Sequence, residues 1–464
     1  MIKVYVDWSV MSQMKHGFHK ELFKLLTRKK QIVVIYSTSH ITDIRVSYKE
    51  GDAVQSKRIE KDLQYLSNLT GDNCAFNENK NIVIGYKDPK QLLEEQVNQQ
   101  QNYGDDGPLA SALSCLEPGT EAYKLLKARI DSPIPQIIAQ VFSDPISAAG
   151  MRERYPGLEE NPTYGNLIKI GWLQNKKLTQ TDAYGNLRKT IQDGLGINRD
   201  RMFAKPEPFK AINKLYEKLG DNTGRRVIKF DFTSDSPLWF QEIYNNYIKL
   251  DMHGYQEDKI RVDEKNKDTF RNTIDDGFHT AFASMCDFYI TSDHRAINKA
   301  KQVYQELKIN TRIFSPAEFI TYGNDSIVHD DPKLHLDIWF KLLESQPYLE
   351  TILDDAVWRT YFLEFFIFDY FNKIYVVTND KERFPTILLS KEKPSNYRFT
   401  NQSEVSTLID KLNIAFDINE NPPTNPNDIR FDNWKDYRWN WKNFEFKLTF
   451  SQGYLQLYLE PCVY

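Results

Sequence analysis

At 464 residues the chain exceeds one ordinary core and is expected to fold as two or three domains. A formal net charge of −4 excludes a uniformly basic nucleic-acid binder, and four scattered cysteines without a CxxC pair exclude a zinc ribbon or a secreted disulfide scaffold. No apolar run approaches ~20 residues and no secretory leader pattern opens the chain, so the expectation is a cytoplasmic protein with no membrane partner.

The chain begins Ile2-Lys-Val-Tyr-Val-Asp7, an apolar strand over 3–7 closing on an aspartate, followed by Ser9 and a helical pattern over 10–27. A second Val, Ile and Tyr strand over 31–36 completes a parallel unit. Ser37-Thr-Ser-His-Ile-Thr-Asp43 then starts a helix with a hydroxyl cap and places Asp43 on its first turn. From 51 to 265 the character changes: polar helical stretches over 57–69, 88–101, 122–142 and 206–219, separated by loops such as 102–108, predict a mostly helical insertion or cap. The α/β pattern returns as a helix over 275–285, a strand over 288–291, a helix over 294–307, a strand over 311–314 and a helix opening at Ser315-Pro316. Its sheet is therefore discontinuous in sequence. From 324 onward lie five of the eight tryptophans, a loop over 419–427 and a period-two pattern over 444–459 broken by Ser-Gln-Gly, the mark of a hairpin. The expected domains are an α/β domain from 1–50 and 266–322, the insertion 51–265, and an aromatic-rich C-terminal α+β domain 323–464.

Four acids fall at strand ends or helix starts, and three have a ready structural reading. Asp293 can cap the helix at His294, Asp276 can be the third residue of a capping box opened by Thr273, and Asp43 can favour a helix start through the macrodipole. Asp7 resists that reading, because Ser9 beside it can do the capping. Clustered buried carboxylates are costly unless a cation compensates them, so the four together point to a divalent-metal site. Hard cations take oxygen ligands, and metal-bound water supplies a nucleophile at neutral pH. Asp287 precedes its strand, belongs at the opposite end of the sheet and reads as a turn residue.

Four segments together resemble the PIN-domain nucleases: Val4-Tyr-Val-Asp7, Ser37-Thr-Ser-His-Ile-Thr-Asp43, Asp276-Gly-Phe-His279-Thr-Ala281 and Ile290-Thr-Ser-Asp293. Arg312-Ile-Phe-Ser-Pro-Ala-Glu-Phe319 is similar to that family's last strand and closing helix. The resemblance covers about 1–50 and 270–322. It departs from the family in the long insertion and in the second acid, Asp43, where Glu is more usual, which leaves Glu50 as a rival. It implies a PIN-like parallel sheet flanked by helices, with Mg²⁺ or Mn²⁺ held by Asp7, Asp276 and Asp293 and Asp43 as ligand or water positioner. The implied activity is that of a metal-dependent endonuclease, an endoribonuclease hydrolysing single-stranded RNA. His279 contacts phosphate or packs; Ser9 and Ser292 bond phosphate or metal water, or simply start helices.

The rival reading is a catalytically silent PIN-like scaffold or nucleic-acid-binding module. An aspartyl-phosphate phosphatase is disfavoured, because Ser9 stands where a second aspartate is needed. Lys20, Lys24 and Arg28 share one helical face and read as solvated. Arg199, Arg201, Lys205, Arg225 and Arg226, near Phe203 and Tyr216, either hold a nucleic-acid backbone with stacked bases or are ordinary surface. Trp434, Tyr437, Trp439 and Trp441 are core or a surface for a protein partner.

Overall fold

Ile2–Val6 forms strand β1, and its side chains alternate between two apolar layers: Ile2, Val4 and Val6 on one face, Tyr5 on the other. Burial on both faces is the condition of an inner strand of a covered sheet. The computed structural model describes all residues except 29–30, 47–52, 102–106, 135–141, 143–147, 149–151, 153–154, 219, 221–235, 263–266, 327–330, 380–383, 393–401, 418–428, 452 and 462–464. After β1 come α1 (Trp8–Lys15), α2 (Lys20–Arg28), β2 (Ile32–Ser37), α3 (Thr38–Arg45), α4 (Ala53–Thr70), β3 (Asn73–Glu78), β4 (Asn81–Tyr86) and α5 (Pro89–Gln101). The single helix expected over 10–27 is two. Gly17 takes a left-handed φ of 87°, and the Gly17 and Phe18 amides bond back to Met14 and Gln13, a glycine stop that ends α1.

The helices that follow are α6 (Gly107–Ser114), α7 (Glu121–Ile130), α8 (Tyr164–Gln180), α9 (Ala183–Gly194), α10 (Arg199–Met202), α11 (Pro208–Lys218) and α12 (Leu238–Met252). A two-residue pair, β5 (Arg261–Val262) and β6 (Lys267–Asp268), leads into α13 (Phe270–Ala283), β7 (Phe288–Ile290), α14 (His294–Glu306), β8 (Arg312–Phe314) and α15 (Pro316–Ser326). The first sheet has the order β4-β3-β2-β1-β7-β8. Its pairings are parallel except β3 with β4.

Two expectations change here. The sheet is mixed rather than parallel, and it does not stop at residue 50, because β3 and β4 continue it to Tyr86. β3 exposes its last two residues, and β4 confines its apolar run to Ile82–Ile84, so neither reads like β1 or β2. Nor is the rest of the insertion merely an appended cap. Phe240, Tyr244, Tyr247 and Ile248 of α12 join Tyr5, Ile35, Tyr289 and Ile313 in one core over the sheet. A Cβ on Gly277 would meet the Tyr244 Cβ at 3.4 Å, so α12 and α13 approach closely beside Asp276.

Beyond α16 (Pro332–Ser345) lies a seven-stranded antiparallel sheet ordered β13-β14-β15-β12-β11-β10-β9. Its strands are β9 (Leu349–Leu353), β10 (Ala356–Ile367), β11 (Phe371–Asn379), β12 (Thr386–Ser390), β13 (Tyr437–Trp441), β14 (Phe444–Ser451) and β15 (Tyr454–Pro461). The expected hairpin is β14–β15, with Ser451 opposite Tyr454. Val405, Leu408, Ile409 and Leu412 of α17 (Gln402–Ala415) close this core with Trp439, Phe446 and Leu457. Trp439 is fully buried and donates to Asn413 Oδ1 at 2.8 Å, which makes it core. The loop expected over 419–427 lies outside the described residues.

The two sheets meet at a buried set of charges. Asp287 sits at the end of β7 away from Asp293, as expected, but it is more than a turn residue: Oδ2 accepts from the Lys3 amide at 2.8 Å and from Lys391 Nζ at 3.0 Å. Lys3 Nζ bonds Glu404 at 2.7 Å. Burial opposes ionisation of Glu404, yet Lys3, the amino terminus and Lys391 outweigh it and hold its carboxyl down at about 2. A depressed carboxylate stabilises the fold above its unfolded value and ceases to as pH falls through the folded one. Glu404→Gln should therefore lower stability by about 3 kcal/mol near neutral pH, the loss expected on breaking a buried pair. Chemical denaturation of both proteins should show that difference shrinking as pH drops from about 4.5 towards 2.

Candidate metal centre

β1 and β7 run side by side and in parallel, so the residues after them emerge at the same edge of the sheet. Asp7 follows β1 and is buried. It caps α1 after all, its Oδ1 accepting from the Ser9 amide at 3.3 Å. Its Oδ2 accepts from Thr291 Oγ1 at 2.7 Å and from Ser9 Oγ at 3.2 Å. Thr291 thus ties the end of β7 to the end of β1. Asp293 caps α14 as expected, with Oδ1 accepting from the Arg295 and Ala296 amides at 2.7 and 3.2 Å. Both bonds fall on one oxygen.

Asp276 does not cap a helix. Thr269, not Thr273, opens α13, which begins before the expected start and leaves Asp276 in the helix interior. The capping box is absent. Asp43 likewise lies beyond the first turn of α3, where Ser37 and His40 form the capping box, so the macrodipole explains neither acid. Glu50, the alternative to Asp43, is outside the described residues.

Asp43 is held by His279. Nε2 of His279 bonds Asp43 Oδ2 at 2.9 Å, and its Nδ1 meets the Tyr5 hydroxyl at 2.7 Å. Tyr5 in turn contacts Ser37 Oγ at 2.7 Å. Burial disfavours a charged imidazole, but Asp43, followed by Asp7 and Asp276, overrides it and brings His279 up to about 9. The doubly protonated ring donates through both nitrogens. His40 is the opposite case: buried, pushed well below the usual histidine range, accepting the Ser37 amide at Nδ1 and donating from Nε2 to the Val6 carbonyl at 2.8 Å.

One donor atom from each of Asp7, Asp43 and His279 lies within 4.8 Å of the others. This spacing suits ligands of one cation. His279 Nε2 also bonds Asp43, so the ring orients that carboxylate. Asp276 and Asp293, expected as ligands with Asp7, line the same cleft but stand outside this close group. Burial and then Asp258 push the Asp276 carboxyl well above the usual range, Lys299 opposes them, and Asp7 and Asp293 push it further. Burial, against the pull of Arg271, also brings Asp275 up to about 6. Carboxyls that resist ionisation beside other carboxylates form a donor set that fits a hard divalent cation.

Asp7, Asp43, Asp276 and Asp293 all line one cleft of about 830 Å³. Asp43 and His279, 236 positions apart in sequence, both reach it. Ser9 and His279 line it as well, as do Trp8, Arg271 and Asp275, to which the sequence reading gave no role. Thr179 and Gln180 from α8 and Val262 from β5 form a further wall, so the insertion shapes the entrance. Ser292 Oγ stands 3.5 Å from Ser9 Oγ at the exposed rim. The basic cluster proposed for nucleic acid is elsewhere: Arg199 pairs with Glu257, and Tyr216 is buried with its hydroxyl 2.9 Å from His253 Nε2. Arg201 is exposed, and Arg225 and Arg226 lie outside the described residues.

Lys299 had no place in the sequence reading. It is fully buried, donating to Asp258 at 2.7 Å and to Asp251 at 3.4 Å. Arg188 of α9 joins the same Asp251 at 3.0 Å. No periodicity betrays such a lysine; only the helix bearing Asp293 places it.

No protein-family model, curated protein or solved structure matches this chain.

Replacing Asp276 by Asn removes a charge that the fold disfavours. In metal-free buffer the variant should melt roughly 2–4 °C above the parent. Mn²⁺ at 100-fold over its Kd should stabilise the parent by about 2.7 kcal/mol and the variant far less. Differential scanning fluorimetry with and without Mn²⁺ reads both effects, and an equal metal response in the two proteins would place the ion elsewhere.

Proposed function

We propose that this protein is a divalent-metal-dependent endonuclease with a PIN-like α/β core, hydrolysing phosphodiester bonds of single-stranded RNA. The observation that carries the reading is the convergence of Asp7, Asp43, Asp276 and Asp293 on one cleft at the C-terminal edge of a sheet. Capping accounts for Asp7 and Asp293 but not for Asp43 and Asp276. The parallel core β3-β2-β1-β7-β8 and the order of the four acids agree with the family resemblance, and that resemblance is what favours RNA over DNA.

Asp7, Asp276 and Asp293 would hold Mg²⁺ or Mn²⁺, which when bound supplies a Lewis acid for the scissile phosphate and an acidified water. The chain does the positioning. Thr291 and Ser9 fix the Asp7 carboxylate, and the α14 amides fix that of Asp293. His279, braced by Tyr5, turns Asp43 towards the cleft, where its carboxylate orients the attacking water.

Purified protein should cleave a fluorogenic single-stranded RNA with Mg²⁺ or Mn²⁺ and not in EDTA. Asp7→Asn, Asp276→Asn and Asp293→Asn should each reduce the rate by at least about 100-fold, the scale on which loss of one preorganised electrostatic contact acts. His279→Gln should reduce it less. Full activity in Asp7→Asn or in EDTA would overturn the reading.

A further inference from the structure

The acid cluster occupies one part of the cleft, and the remainder is differently built. Trp8, directly after Asp7, is half-buried: it packs against the core beneath α1 while lining the cleft. Arg271, on the first turn of α13, also lines the cleft, with its side chain 39% exposed. Its Nε bonds Asp275 at 3.0 Å, which fixes the guanidinium while its terminal nitrogens take no part in that bond. Arg45, at the end of α3, is close enough to Arg271 to repel it, with Asp275 attracting both. Arg271 is thus a braced, partly exposed cation on the wall of an otherwise acidic cleft.

We infer that Trp8 and Arg271 form a nucleotide subsite flanking the acids, Trp8 stacking one unpaired base and Arg271 taking a backbone phosphate. The inference rests on the proposed nuclease reading and deepens it by stating how the substrate is chosen. A volume of about 830 Å³ falls in the roughly 300–1,000 Å³ range of pockets that enclose a small ligand, room for one or two nucleotides. A paired base has both faces covered in its own stack, so only a single strand or a splayed end presents a face to Trp8. A guanidinium fork matches phosphate geometry, and an exposed side chain braced by a carboxylate loses less freedom on binding it. An aromatic face tolerates any base, so this subsite selects strandedness rather than sequence.

The test is fluorescence anisotropy in EDTA, which separates binding from cleavage, using a short fluorescein-labelled RNA of mixed sequence. The same strand annealed to its complement and an abasic strand of equal length are the comparisons. The single strand should bind the parent more tightly than either. Trp8→Ala should weaken single-strand binding roughly tenfold with little effect on the abasic strand, and Trp8→Phe, which keeps an aromatic face and guards against misfolding, should restore most of it. Arg271→Ala should lower the salt-dependence slope by about 0.7, one phosphate on a single strand. A parent that binds no single strand, one that binds duplex equally well, or a folded Trp8→Ala protein with parental affinity would overturn the subsite. Cleavage lost in the aspartate variants while Trp8 proves irrelevant would overturn this inference and leave the nuclease. Trp8-dependent binding without metal-dependent cleavage would do the reverse.

Discussion

Four carboxylates forced into one cleft repel one another, and much of the surrounding structure answers that repulsion. Compensation comes from beneath and behind. His279 lies against Asp43, Lys299 stands under Asp276 and Asp258, and the amino end of α14 presents its amides to Asp293. The position of Lys299 follows from that of Asp293, since both belong to the same two turns of α14. One helix therefore delivers an anion to the rim and a cation to the interior. A fully buried ammonium is tolerable only with close partners, and Asp251 and Asp258 are those partners.

This requirement explains why the insertion is inseparable from the sheet. Asp251 ends α12 and Asp258 follows it; Arg188 and Tyr184 of α9 bind the same Asp251 from the other side. Tyr184 also stacks on Phe270, the first residue of α13, at 3.7 Å. Gly254, with a φ of 88°, makes the bend between the two aspartates, where a Cβ would strike Arg199. The segment that seems an appendage in sequence supplies the counter-charges of Lys299.

How much of this the sequence carries depends on the kind of signal. β1, β2 and β7 are legible because burial on both faces writes a largely apolar run, broken within β1 by Lys3, and Asp7 because it ends the first of them. β3 and β4 are harder to read because an edge hairpin half-exposed to water keeps its apolar run short, Ile82–Ile84 in β4. The helix expected over 10–27 is two because the periodicity continues across a glycine that stops the first. Asp276 is a different lesson. A capping box can be read at Thr273, but the helix starts at Thr269, so only the backbone decides whether an acid is a cap or a site residue. Lys299, Arg271 and Tyr5 look like an ordinary polar residue, an ordinary ion-pair arginine and an ordinary strand aromatic. Their partners lie on distant segments, and a local pattern has no access to those.

The pairing of β1 with β7 has a temporal side. Asp7 and Thr291 are 284 positions apart, as are Lys3 and Asp287, yet they bond directly. A chain emerging from the ribosome carries β1 and Asp7 long before β7 exists, with one edge of that strand unpaired throughout. Joining such remote segments is slow, because the loop between them must be ordered first. The proposed centre is thus absent from every nascent chain that has not passed Asp293. For a protein expected to cut RNA, made on an RNA template among ribosomal RNA, such a topology would postpone activity until most of the polypeptide has left the tunnel.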